Sequence, residues 1–105
     1  MGMEGMEGIL RQAQQVRERL GKLQEELADR TVEASAGGGM VTVVANGRQE
    51  VVSVRIEQEV ASPEELELLQ DLVRGAVNEA LSLSKRMAAE EMSKITGGMN
   101  LPGLF

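Results

Sequence analysis

Residues 40–56 read Met40-Val41-Thr42-Val43-Val44-Ala45-Asn46-Gly47-Arg48-Gln49-Glu50-Val51-Val52-Ser53-Val54-Arg55-Ile56. The run from Met40 to Ala45 is dense in β-branched side chains, and Val52, Val54 and Ile56 alternate with Ser53 and Arg55. Alternation of period two describes a strand with one apolar face. Asn-Gly between two such runs is a strong hairpin signal, because a type I′ turn needs positive φ at both central residues. Upstream, Thr31 to Ser35 sets Val32 between Thr31 and Glu33, a short half-buried strand that Gly37-Gly38-Gly39 separates from the next. No Lys-Ser/Thr follows these glycines and they lead into a strand, so a strand-linking turn is favoured over a phosphate loop. Three antiparallel strands is the economical reading.

Both flanks read as helix. Met6, Ile9, Ala13, Val16, Leu20, Leu23 and Leu27 recur at alternating steps of three and four, the narrow seam of a helix pair. Glu7 with Arg11 and Glu18 with Lys22, each four apart, support the wet side of that helix. Ser62-Pro63-Glu64-Glu65 opens the second helix, with Ser62 as cap, Pro63 at the first helical position and Glu65 completing a capping box. Its stripe runs Leu66, Leu69, Val73, Ala76, Ala80, Leu83 and Met87, widened by Leu72, Val77 and Leu81 and thinning to Met92 and Ile95. Gly97-Gly98 is expected to stop it. The expected fold is therefore α+β, in the order α-β-β-β-α, with two long helices on one face of a small three-stranded antiparallel sheet. Residues 1–96 form one domain and residues 97–105 a flexible tail.

Composition removes several chemistries. The 105 residues include no His, Cys, Trp or Tyr, and Phe105 is the sole aromatic. An ordinary zinc site, a thiol nucleophile and a Ser-His-Asp relay are excluded. So is base stacking on aromatic platforms. An enzyme is disfavoured, and no cofactor, metal or small-molecule substrate is expected. No apolar run approaches the ~20 residues that span a bilayer, and the start lacks the pattern of a signal peptide. A cytoplasmic protein without a membrane partner is the expectation.

Helix lengths point to self-association. Helices of about 22 and 33 residues are ~33 and ~50 Å long, whereas six-residue strands cover ~20 Å. Both helices must overhang the sheet while still carrying Met6, Ile9, Met87 and Met92. These four are the candidate dimer contacts, and a twofold homodimer would cover them together with the open sheet edges.

Several segments, taken in order, resemble the YbaB/EbfC family of bacterial nucleoid-associated proteins. They are Gly38-Gly39-Met40-Val41-Thr42-Val43 leading to Asn46-Gly47, Val54-Arg55-Ile56, Leu69-Gln70-Asp71-Leu72-Val73, Ala76-Val77-Asn78-Glu79-Ala80, and Thr96-Gly97-Gly98-Met99 with Leu101-Pro102-Gly103. Arg11-Gln12-Ala13-Gln14-Gln15 fits as well. Glu57-Gln58 stands where relatives often have Asp-Pro, a local departure after the third strand. The resemblance implies a tweezer-like homodimer that holds DNA between projecting helical arms, placed in the nucleoid.

Charge both opposes and locates such a role. Seventeen acids against eleven bases give −6 per chain, a net repulsion toward a polyanion. Screening over ~8 Å at physiological salt makes the local distribution decisive. Arg11, Arg17, Arg19 and Lys22 face one acid, Glu18, between residues 11 and 22, and Lys85, Arg86 and Lys94 form a second cluster. These seven are the candidate DNA contacts, through phosphates and with little base reading. The competing reading has them solvated or paired: Arg17 and Arg19 flank the seam, Lys22 lies a turn from Glu18 and Glu26, and Lys94 a turn from Glu90. The alternative function is an adaptor dimer whose Met-rich arms bind another protein.

Overall fold

The computed structural model describes the backbone of residues 2–99 and the side chains of residues 5–95. Helix α1 (Gly2–Asp29) leads through Arg30 into strands β1 (Thr31–Ala36), β2 (Val41–Asn46) and β3 (Val51–Ile56). Two short 3-10 turns, Gln58–Val60 and Pro63–Glu65, precede helix α2 (Leu66–Met99). The strands form one antiparallel sheet in the order β1-β2-β3. The α-β-β-β-α order and the α+β class are those read from the periodicities.

The core is one layer between α2 and two strands. Ala34, Val41, Val43 and Ala45 meet Ala76 and Ala80, and Val32, Leu69, Leu72, Val73, Val77 and Leu81 close around them. Alanines at the centre let the helix axis sit close to the sheet, so branched side chains on both sides interdigitate. Helix α2 crosses β1 and β2 but barely touches β3. Register places Ile56 opposite Val41 and Val54 opposite Val43, with a bulge beyond Val44 that brings Val51 opposite Ala45. These β3 side chains therefore share the core face and lie past its cover. All six residues of β3 are exposed, against the half-buried strand that the alternation suggests. The reason is geometric: one helix, ~10 Å wide, covers about two strands spaced ~4.8 Å apart.

Four local expectations are corrected. Asn46-Gly47 is not a two-residue turn; residues 47–50 connect the strands, and the left-handed residue is Gln49 at φ 62°. The Ser62 side chain makes no capping bond, because its own carbonyl already accepts from the Glu65 N–H at 3.0 Å in a 3-10 turn. Gly97-Gly98 does not stop α2, which runs on to Met99. Glycine keeps its N–H and weakens a helix by only about 1 kcal/mol, so an established helix can continue through it. Residues 100–105 of the expected tail lie outside the described residues. Lastly, α1 does not lie on the sheet face: its last turns meet α2 and the end of β2. The triple glycine is the expected turn, with Gly37, Gly38 and Gly39 all at positive φ.

That placement of α1 makes an arm. The Gly47 N–H donates to the carbonyls of Leu27 (2.8 Å) and Arg30 (2.9 Å), so the β2–β3 connection caps a helix that ends eighteen residues before it. Arg30 in turn forms an ion pair with Glu91 of α2. From this root α1 leaves the body. The molecule measures 75 Å along its longest axis, with a radius of gyration of 20.3 Å. A compact chain of this size would have a radius near 13 Å.

Candidate nucleic-acid interface

The apolar seam of α1 grades from buried to bare along the arm. Leu27 is 2% and Leu23 5% exposed, Leu20 and Val16 are half-buried, and Ile9 and Met6 reach 66% and 62%. Leu10 is exposed beside them. On α2, Met87 is half-buried and Met92 lies at 37%. The four expected dimer contacts thus fall into an exposed pair on the outer arm and a partly covered pair on α2.

Cations accompany this seam. Counted from Leu27 at ~1.5 Å per residue, Lys22, Arg19, Arg17 and Arg11 stand at about 8, 12, 15 and 24 Å along α1. Arg11 and Lys22, three turns apart, share the outer face, while Arg17 and Arg19 flank the seam on either side. All four are exposed, and among the described residues none makes an ion pair. Glu18 and Glu26 therefore do not tie off Lys22.

The second cluster divides. Lys85 and Arg86 are exposed, make no ion pair among the described residues, and lie at the arm's root, next to Ser84, which bonds to the β2–β3 connection. Lys94 is held by Glu91 at 3.0 Å rather than by Glu90. Glu91 thus serves two cations, and its carboxyl is held below the ordinary 4.5, first by the Arg30 hydrogen bond and then by that of Lys94. The fold brings Lys85 and Arg86 to the root of the α1 series and leaves Lys94 engaged. Arg48, exposed in the four-residue β2–β3 connection, escapes the sequence reading because a two-residue turn would place it in a strand.

The charges are segregated. Residues 55–79 carry seven acids and two arginines, net −5, whereas the remaining residues carry ten acids and nine bases, net −1. The acids of the first group lie around the two 3-10 turns and the first half of α2, and Glu67 sits in its first turn, where the helix dipole favours it. Asp71 and Glu57 there are met by Arg74 and Arg55. Most of the net negative charge is thus at the end of α2 away from the arm root at Ser84 and Glu91. Among the described residues no group of three or more acids is placed to hold a metal.

A small α+β body with a projecting helical arm, whose cations make no ion pair among the described residues, defines a class of elongated, polyanion-compatible proteins. The sequence model of the YbaB/EbfC DNA-binding family matches residues 1–99, and the chain belongs to that family. It is 56% identical over 95 residues to a nucleoid-associated protein of Syntrophobacter fumaroxidans, covering 90% of this chain and 86% of the relative. It is 53% identical over 103 residues to one of Moorella thermoacetica, covering 98% and 99%. The crystal structure of an uncharacterized protein from Helicobacter pylori matches with a TM-score of 0.63 at 24% identity, over 83% of this chain and 96% of that one. At that identity the likeness speaks for the fold.

Proposed function

We propose that the protein is a nucleoid component that binds duplex DNA as a homodimer, with little sequence preference, and alters the conformation of the DNA it holds. Contacts run to phosphates from Arg11, Arg17, Arg19 and Lys22 on α1, with Lys85 and Arg86 at the root. The observation that carries this reading is that these six cations are exposed and, among the described residues, without ion pairs in a chain of a DNA-binding family. Free guanidinium and ammonium groups release condensed counterions when they meet phosphates, which favours binding irrespective of base sequence. The net charge of −6 is offset by its distribution, since residues 55–79 carry −5 of it around the two 3-10 turns and the first half of α2 rather than on α1.

Uncovered apolar surface supports the homodimer. Val51, Val54 and Ile56 continue the core face without a helix above them, and Ile9 and Met6 continue the α1 seam without a partner. A second copy related by a twofold would cover both surfaces and set two arms opposite each other. Among the described residues no helix is long and apolar enough to cross a membrane, in keeping with a nucleoid location.

Fluorescence anisotropy with two duplexes of unrelated sequence tests the proposal. Affinities that rise together as salt is lowered are expected. No binding to either duplex at ~50 mM salt would overturn it and favour an adaptor that uses Met6, Ile9 and Leu10 to hold another protein.

A further inference from the structure

The connection between β2 and β3 is built more tightly than a strand link requires. Asn46 Oδ1 accepts from the N–H groups of Arg48 (2.9 Å) and Glu50 (3.2 Å), and Asn46 Nδ2 donates to the Glu50 carboxylate (2.9 Å). Gln49 is the only non-glycine at positive φ among the described residues, a conformation that surrounding bonds must hold in place. The hydroxyl of Ser84, wholly buried, supplies the hold from α2. It accepts from the Gln49 N–H at 3.2 Å and donates to the Asn46 carbonyl. This strained surface turn is thus clamped to one particular turn of a helix.

The clamp has cations on both sides. Arg48 precedes Gln49, and Lys85 and Arg86 follow Ser84; all three are exposed, and none has an ion pair among the described residues. The Gln49–Ser84 bond limits the Cα separation of Arg48 and Lys85 to about 12 Å, within which two long side chains can serve one phosphate or two neighbours. The nearest acid of the turn, Glu50, is occupied by Asn46. Glu90, one turn beyond Arg86, forms no ion pair with it among the described residues.

We propose that Arg48 is a further phosphate-binding residue of the DNA interface, presented beside Lys85 and Arg86 by the Ser84 clamp. The assignment rests on the DNA-binding reading above. Arg48 meets the phosphate; Ser84 is a positioning residue and touches no DNA.

The test compares salt titrations of duplex binding for the full chain and three variants. For Arg48→Ala, the log–log slope falls in magnitude by about 0.9 per protomer, about 1.8 for a dimer, with the dimer mass unchanged by light scattering. Arg74→Ala, which removes an exposed cation paired with Asp71 on the first half of α2, leaves the slope as it was. Ser84→Ala lowers the slope like Arg48→Ala, and combining the two lowers it no further, a non-additivity that a general loss of stability would not produce. If Ser84→Ala fails to fold, the Arg48 and Arg74 variants still decide. A normal steep slope retained by Arg48→Ala overturns the proposal and leaves DNA binding standing. Absence of a salt-dependent slope in the unaltered protein overturns both.

Discussion

At the scale of single residues, Gly47 carries more of the architecture than its size suggests. A Cβ at this position would meet the Leu27 carbonyl oxygen and Cβ at 2.9 Å, both parts of a helix end that cannot swing aside. Its N–H holds the Leu27 and Arg30 carbonyls, so a displaced residue 47 would also uncap α1. Gly47→Ala is therefore expected to destabilise the fold by about 1–3 kcal/mol, and for a chain of this size each kilocalorie lowers Tm by roughly 4–8 °C. A thermal melt monitored by circular dichroism checks this; an unchanged Tm would show that the arm root is looser than these bonds imply. Asn46-Gly47 also shows the reach of sequence reading at this scale. The pair signals a hairpin correctly, but for a reason the local sequence does not contain. The glycine is needed because a helix ending eighteen residues earlier presses against it, and the Asn side chain builds a four-residue turn instead of a two-residue one.

Among the elements, periodicity made α1, α2 and the three strands legible, because burial on one side imposes a repeat of 3.6 or 2 on the side chains. How the elements meet was not legible. The alternation of Val52, Val54 and Ile56 looks half-buried whether or not a helix lies above it, and only the position of α2 over β1 and β2 reveals that β3 is bare. If the bare β3 face is the contact of the proposed homodimer, the Val54→Asp, Ile56→Asp double variant runs as a folded monomer in light scattering. A dimer of unchanged mass would move the interface away from β3. Likewise the junction of α1 with α2 depends on Arg30 and Glu91, sixty-one positions apart and invisible to any local pattern. Glu91 titrates below 4.5 when folded, so its charged form adds stability above that value, and the gain disappears as pH falls through the lowered folded value. The Tm gap between the unaltered protein and Glu91→Gln should thus be present at neutral pH and close on acidification. A gap that persists unchanged at low pH would contradict the role given to the ion pair.

For the molecule as a whole, charge segregation reconciles an acidic chain with an acidic ligand. The net charge places the protein among poor candidates for DNA, and the basic stretch from Arg11 to Lys22 places it among good ones. In the sequence these two facts stand in tension, because the arginines could equally be paired across a helix seam. The projecting arm speaks against that pairing within one chain, since α1 leaves the body and, among the described residues, its arginines form no ion pair with an acid of α2. The most direct measurement is the salt dependence of duplex binding for the Arg11→Ala, Arg17→Ala, Arg19→Ala, Lys22→Ala variant beside the unaltered protein. The log–log slope is predicted to flatten by about 0.9 for each phosphate that is no longer neutralised, with dimer mass and Tm retained. A variant that keeps the full slope would contradict the assignment of DNA to the arms.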